Sequence, residues 1–301
     1  MGQIVIDVTD LSRSFGPKAA LDCVSFHAAV GQIHGLVGAN GAGKTTFIKH
    51  LLGLLRAQSG TVRVFGLDPV RDPVGVLSRI GYLSEERDLP EWMRIDELMA
   101  YTRAYHPTWD ASYARELLDT FNLDPSKKVK ELSKGMRAQA GLVAAVAHRP
   151  ELLILDEPSS GLDVVVRRDI LDAIVRTVAD DGRTVIFSSH LLDEVERMSD
   201  HVTMLHGGRV TLDGALDDVR RRYQRSRVRF IEHFAQPPAL ESALVMEGGG
   251  RTWSVVHGGS LEQFHHSVLA LGGEIVESRD ATLEEIFLAR AGRSGQPVEA
   301  A

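Results

Sequence analysis

Gly38-Ala39-Asn40-Gly41-Ala42-Gly43-Lys44-Thr45-Thr46 is the stretch on which the reading of the whole chain turns. It fits G-x-x-x-x-G-K-[ST], a phosphate-binding pattern. Its flanks fit too. Ile33-His34-Gly35-Leu36-Val37 before it reads as a short apolar strand. After it, Ile48, Leu51, Leu52 and Leu55 fall at i, i+3, i+4, i+7, the spacing of a helix with one buried face. Gly38, Gly41 and Gly43 would let backbone N–H groups curl around phosphate oxygens, and the helix N-terminus adds partial positive charge. Lys44 would reach the β- and γ-phosphates, and the Thr45 hydroxyl would ligate Mg²⁺; Asn40 and Thr46 complete the nucleotide-binding set. The competing reading, a glycine-rich turn with no ligand, does not explain the strand and helix on either side.

The same strand-to-helix pattern recurs downstream. Leu152 to Leu155 is a fully apolar strand followed by a helix around Ile170, Leu171, Ile174 and Val178. Thr184 to Phe187 is followed by a helix containing Leu191, Leu192 and Val195. Near-continuous apolar strands alternating with helices imply a parallel sheet covered on both faces. In Leu152-Leu153-Ile154-Leu155-Asp156-Glu157, two carboxylates stand at the carboxyl end of such a strand, where α/β sheets bind ligands. Asp156 can hold the Mg²⁺ shell and Glu157 can take a proton from an attacking water. His190, at a third strand end, is either a helix-capping or core histidine or, as this topology favours, a contact to the γ-phosphate.

Around this core, Ile4-Val5-Ile6 and Val24-Ser25-Phe26 read as N-terminal strands with Gly16-Pro17 as a breaker. From about 89 to 147 strand signals vanish, and Ile95–Tyr105 and Tyr113–Phe121 read as amphipathic helices of an insert. Asp217 to Arg229 holds six arginines (220, 221, 222, 225, 227, 229), either a site for nucleic acid or anionic lipid or a solvated helix end and linker; the acidic balance favours the second. Strands at Val228–Phe230 and Trp253–Val256 and helices at Leu261–Leu269 and Leu283–Ala289 follow, then a disordered tail. The expected fold is α/β: a phosphate-loop NTPase core with a mostly parallel sheet, an N-terminal antiparallel β-subdomain and a helical insert, plus a small α+β C-terminal domain. The expected division is 1–222, 223–290 and a tail at 291–301, with the middle part regulatory or dimer-contacting and free of catalytic groups.

Composition narrows the function. The 301 residues suit about two domains at roughly 150 residues each. A formal net charge of −7 argues against coating nucleic acid, which needs a basic surface to replace counterions. No uncharged apolar run approaches the roughly 18 residues needed to span a bilayer. Met1-Gly2-Gln3-Ile4 does not open a signal peptide, and Ile6 breaks the myristoylation pattern. The single cysteine, Cys23, reads as a small buried hydrophobe. His265-His266 have no acidic or cysteine partners at ligand spacing, so no metal is assigned to them.

With these motifs in order, the chain resembles the ATP-binding subunit of an ABC transporter. The distinguishing segment is Leu132-Ser133-Lys134-Gly135-Met136, similar to the family's signature sequence; Lys134 and Met136 replace the commoner Gly and Gln. The resemblance implies that the Ser133 hydroxyl and Gly135 backbone contact the γ-phosphate of ATP held by the opposite subunit. Ser160-Gly161-Leu162-Asp163 resembles the D-loop, and Asp163 joins the nucleotide-binding set on that basis. Phe15 takes the place of the aromatic that stacks on adenine, against the alternative of a strand core residue. Glu85, in Ile80-Gly81-Tyr82-Leu83-Ser84-Glu85, stands where the Q-loop has glutamine and could supply an oxygen to Mg²⁺. The resemblance covers residues 3 to about 215, and Thr282–Leu288 is similar to the ending of drug- and polysaccharide-export ATPases.

What the resemblance implies is an ATPase using ATP and Mg²⁺, with Lys44, Glu157 and His190 in the catalytic step. Its partners would be a membrane-spanning permease and a second nucleotide-binding subunit, expected to be another copy of the chain, with no nucleic acid. It would be cytoplasmic and peripheral on the inner membrane face, driving export. The rivals are a soluble ABC ATPase acting as a switch on ribosomes or chromosomes, and a module that binds nucleotide without hydrolysis. One phosphate loop and a short insert speak against the first, Glu157 and His190 against the second.

Overall fold

The computed structural model describes residues 3–292. The expectations for Met1-Gly2, for the end of the tail and for the side chain of Val178 lie outside the described residues. Contacts divide the chain into Met1–Leu212 and Asp213–Ala301. The division falls earlier than the expected one at 222, because the helix at 216–222 joins the second unit.

The first unit opens with β1 (Ile4–Phe15) and β2 (Lys18–Ala29), an antiparallel pair turned at Gly16-Pro17. Next come β3 (Ile33–Val37), α1 (Lys44–Leu51), β4 (Ser59–Val64), α2 (Pro73–Leu77) and β5 (Ile80–Leu83). A helical stretch follows: α3 (Ile95–Arg103), α4 (Ala111–Thr120), a 3₁₀ turn at Val129–Glu131 and α5 (Lys134–Val146). The unit closes through β6 (Leu152–Asp156), α6 (Val164–Asp181), β7 (Thr184–Ser189), α7 (Leu192–Met198), β8 (His201–His206) and the start of β9 (Arg209–Ala215).

Two sheets result, ordered β2-β1-β4 and β5-β6-β7-β3-β8-β9. The pairs β5·β6, β6·β7, β7·β3 and β3·β8 are parallel. Every residue of β3, β6 and β7 is buried, which is why these strands read as unbroken apolar runs. This order sets the ends of β6, β7 and β3 side by side. The helical stretch contains no strand, and Ser133 Oγ accepts the Met136 N–H at 3.2 Å to cap α5.

Cys23 corrects the expectation of burial: it is exposed, with φ 52°. The register of β1 against β2 shifts between Val8 and Leu11, between Leu11 and Arg13 and between Arg13 and Ser14, so simple alternation fails there; Leu21, Val24 and Phe26 take the inward places. Phe15 is 47% exposed at the end of β1, which removes the strand-core alternative for it.

The second unit contains α8 (Leu216–Arg222), β10 (Tyr223–Phe234), β11 (Ala243–Gly258), α9 (Leu261–Ala270), β12 (Gly273–Asp280) and α10 (Leu283–Gly292). The sheet order is β11-β10-β12, antiparallel throughout, over a core of Val228, Phe230, Trp253, Val255, Phe264 and Val268. The arginine run is no linker. Arg220–Arg222 end α8, while Arg225, Arg227 and Arg229 lie on β10. Arg227 faces Glu277 at 3.7 Å and Arg229 faces Glu274 at 3.6 Å on β12. Two of the charges read from sequence as one basic block are therefore neutralised across strands, and Arg221 of α8 pairs with Asp218. The helix α10 also runs into the range expected to be tail.

Glu285 is the electrostatic hub of this unit. It accepts from Arg225 at 2.5 Å and from Arg279 at 2.6 Å, and its Oε2 accepts the Thr282 N–H at 3.0 Å. Burial alone would raise its pKa, but the Arg279 and Arg225 hydrogen bonds and the Thr282 N–H hold it down to about 2 from 4.5. A depressed carboxylate pKa gives stability that is present above the unfolded-state value and lost as pH falls through the folded one. The stabilisation, about 3 kcal/mol at most for a shift of this size, should therefore fade from about pH 4.5 toward pH 2. Thermal unfolding of wild type and Glu285→Gln should show a gap at pH 7 that closes over this window; a gap constant with pH would contradict it.

Candidate functional site

The carboxyl ends of β3 and β6 open onto one cleft of about 350 Å³, with the end of β7, and His190 after it, beside β6. Phe15, Asn40, Gly41, Gly43, Lys44, Thr45, Thr46, Glu85 and Glu157 are among its lining residues. The loop after β3 takes its shape from glycine. Gly43 has φ 112°, and a Cβ there would lie 2.5 Å from the Ala20 carbonyl oxygen. At Gly38 a Cβ would lie 2.5 Å from the Leu205 carbonyl oxygen. A side chain at either position would push the loop off its supports. Gly43 is the N-cap of α1 and no side chain caps that end. The first-turn N–H groups thus face the cleft with the positive end of the helix behind them, a cradle suited to an anion.

Lys44 is 6% exposed. Its ammonium donates to Gly38 O at 2.6 Å and lies 3.0 Å from Glu157 Oε1, an ion pair between two buried groups. The other carboxylate oxygen, Oε2, meets His190 Nδ1 at 2.7 Å. His190 is therefore neither a helix cap nor a core histidine; α7 is capped by Leu191. Since Glu157 is the acceptor, Nδ1 carries the proton in this arrangement. Glu157 also has φ 49°, a conformation rare for a residue with a side chain, so the backbone is strained where the carboxylate leaves β6.

Asp156 lies beside it, 1% exposed, and is not among the residues lining the cleft. Ser188 on β7 holds both: its Oγ donates to Asp156 Oδ1 at 2.6 Å and accepts the Glu157 N–H at 2.9 Å. Thr45, Glu85 and Asp156 offer only oxygen donors, the chemistry a hard divalent cation such as Mg²⁺ takes. Tyr82 on β5 is near enough to feel the acids: burial first, then the charges of Asp156, Glu86 and Glu85, push its phenol up to about 12.

Ser133, Gly135 and Asp163 do not line this cleft. Ser133 is exposed at the start of α5, and Asp163 Oδ1 accepts the Val165 and Val166 N–H groups at 3.0 Å.

Three supporting residues escaped sequence reasoning. Ser188 is one. Arg87, 3% exposed with φ 51°, donates through Nη2 to Pro158 O at 3.1 Å and Ser160 O at 3.0 Å, tying the chain after Glu85 to the turn after Glu157. Burial lowers its pKa, against the pull of Glu85. Glu194 on α7, 2% exposed, accepts from Ser159 at 2.7 Å and Ser189 at 3.2 Å and lies 3.5 Å from Arg167. Burial raises its pKa, the hydrogen bonds opposing. No local pattern marks these residues, and apart from the Ser189–Glu194 pair their partners stand far away along the chain.

A family model described as ABC transporter matches residues 21–160. The daunorubicin resistance ATP-binding protein DrrA3 of Streptomyces coeruleorubidus is 32% identical over an alignment covering 100% of both chains. The ABC transporter ATP-binding protein YtrB of Bacillus subtilis (strain 168) is 29% identical, with 96% of this chain and 98% of that one covered. A solved ATP-binding subunit of an ABC transporter superposes with a TM-score of 0.67 at 32% identity, over 72% of this chain and 92% of that one. The dimeric bacterial ABC transporter cassette MJ0796, 20% identical with a TM-score of 0.63 over 70% of this chain and 98% of that one, shares the fold.

Ser188→Ala should leave Asp156 Oδ1 and the Glu157 N–H buried without their partner, at about 1–3 kcal/mol of stability. Denaturant unfolding checks this; a loss below about 0.5 kcal/mol would mean that the hydroxyl does not hold the pair.

Proposed function

The chain belongs to the ABC transporter family, as its full-length similarity to DrrA3 shows, and from that premise we propose how its residues divide the work. As an ATP-binding subunit it is an ATPase that acts with a membrane permease and a second ATP-binding subunit. The observation that carries the assignment of roles is the array Lys44–Glu157–His190, held at one strand-end cleft with 3.0 Å and 2.7 Å separations.

ATP enters this cleft with its phosphates against the loop N–H groups. Lys44 neutralises the β- and γ-phosphates. Mg²⁺, held by Thr45, Asp156 and Glu85, would supply charge neutralisation between the phosphates when bound. Phe15, exposed at the cleft wall, offers its ring face to adenine. With Lys44 turned from Glu157 to the phosphates, Glu157 Oε1 takes the proton of the attacking water while the His190 Nδ1–H fixes Oε2 and keeps the carboxylate aimed. Ser133, Gly135 and Asp163, which stand away from their own cleft, serve the nucleotide of the facing subunit. Two identical subunits then meet in a two-fold, head-to-tail pair, and ATP favours the closed pair through contacts that hydrolysis removes.

Among the described residues no helix is long and apolar enough to cross a membrane; on the family's organisation we assign the membrane path to the permease. We place the chain at the inner membrane face through that partner. DrrA3 and the daunorubicin/doxorubicin resistance protein DrrA of Streptomyces peucetius, 32% identical, carry drug resistance in their names. On that similarity we read the transport as export of a substrate that the permease selects.

Glu157→Gln should keep ATP binding, slow single-turnover hydrolysis by about 10²- to 10⁴-fold and accumulate as an ATP-bound dimer. Light scattering with Mg²⁺-ATP reads the dimer, and adding Ser133→Arg should dissolve it. A Glu157→Gln protein that stays monomeric with ATP at high concentration would overturn the shared-site arrangement. Glu85→Gln keeps a ligating oxygen and should retain ATPase activity within about tenfold in a steady-state assay; complete loss would assign the carboxylate its own chemistry.

A further inference from the structure

The far end of α1, away from the phosphate loop, carries a second polar cleft. It has a volume of about 260 Å³ and is lined by His50, Arg56, Thr61, Arg63, Asp68 and Arg71 among others. Three exposed arginines line this one hollow, in a chain whose net charge is −7. General basicity does not account for them. Their neutralisation within the molecule is incomplete. Arg71 lies 3.5 Å from Asp68, whose Oδ1 is also engaged by the Val70 and Arg71 N–H groups. Arg63 sits opposite Asp7 in the β1·β4 register, but Asp7 pairs with His27 at 3.2 Å instead. Among the described residues, the Arg56 and Arg63 guanidinium groups have no carboxylate partner.

His50 forms part of the wall behind them. It is 1% exposed, and its Nδ1 meets the Thr46 carbonyl oxygen at 2.7 Å. An oxyanion supplies what the arginines lack, negative oxygens. The C-terminal carbonyls of α1 do not repel it directly, since His50 O, Lys49 O and Ile48 O accept from Gly53, Leu54, Leu55 and Leu52 N–H groups.

We propose that this cleft binds a phosphate-class oxyanion, held by Arg56, Arg63 and Arg71 with His50 at its base. A phosphate presents enough oxygens to engage three guanidinium forks at once, which a carboxylate with two oxygens does not. The site is separate from the nucleotide cleft and does not rest on the hydrolytic role given to that cleft. Through His50 and the Thr46 carbonyl, however, it touches the first turn of the helix that carries Lys44. The ligand is a free phosphate or phosphomonoester, or the phosphate of a lipid headgroup.

Calorimetric titration of the full chain with inorganic phosphate tests this, using Lys44→Ala to silence the phosphate loop. Phosphate binding should survive Lys44→Ala and weaken by about tenfold or more when Arg56→Gln and Arg63→Gln are added. The same arginine pair in otherwise wild-type protein should remove one of two binding events, which covers the case of a poorly folded Lys44→Ala. Vesicles of phosphatidylcholine with and without phosphatidylglycerol, read by co-sedimentation, distinguish the sources. Binding lost with Arg56→Gln/Arg63→Gln but kept with Arg220→Gln/Arg222→Gln assigns the lipid headgroup, and dependence seen with free phosphate alone assigns the soluble anion. If Lys44→Ala abolishes all phosphate binding and the arginine pair changes neither titration nor sedimentation, the proposal fails.

Discussion

A carboxylate buried to the extent of Glu157 cannot stand without compensation, because removing its charge from water costs several kcal/mol. The fold answers with Lys44 on one oxygen and His190 on the other. Neither is a sequence neighbour. Lys44 comes from the start of α1 after β3 and His190 from the end of β7, so the compensation exists only if β6, β7 and β3 lie side by side and in register. The parallel sheet, the glycine loop and the Ser188 bridge are thus parts of one electrostatic requirement. Asp156 and Glu157 leave one strand in succession, yet the left-handed backbone at Glu157 sends the second carboxylate to different partners from the first.

Much of this was legible because the decisive signals are local. The loop is a contiguous pattern, and β3, β6 and β7 read as apolar runs because both their faces are covered. Legibility ends where partners come from afar or where polar groups are buried in pairs. The strand β8 went unread: Thr203 inside it is buried against His34 at 2.9 Å, a satisfied pair that looks in sequence like an interruption of the core. The strand β12 went unread for the opposite reason, its outward residues being charges whose partners sit on β10. Arg87 and Glu194 belong to the same class, since a buried guanidinium held by two carbonyls and a buried acid held by two hydroxyls resemble surface residues until the fold brings their partners. Cys23 misled because its expected burial rested on residue type alone, while it stands exposed where the β1·β2 register shifts.

The two units use charge differently. In the first, ionised groups are drawn into the sheet ends, where a handful of hydrogen bonds must satisfy each one. In the second, Arg227 and Arg229 of β10 lie across from Glu277 and Glu274 of β12, largely in solvent, while Arg225 and Arg279 share the more buried Glu285. Exposed cross-strand pairs are individually weak, so the second unit leans on its apolar cluster.

The hairpin between β8 and β9 turns at Gly207-Gly208, both in the left-handed region. Gly208 N–H donates to Ala42 O in the phosphate loop at 3.2 Å, and Gly208 O accepts the Asp22 N–H of β2 at 2.8 Å. Main-chain bonds through Gly208 thus fasten the antiparallel sheet to the loop, and beside them the Asp22 carboxylate accepts from Arg209 Nε at 2.8 Å. The seam leaves little room for larger side chains at Gly208, where a Cβ would sit 2.9 Å from the Ala20 oxygen, or at Ala42, which is 5% exposed. A substitution far from the cleft, at the β8–β9 turn, would therefore be felt in the loop that cradles the phosphates.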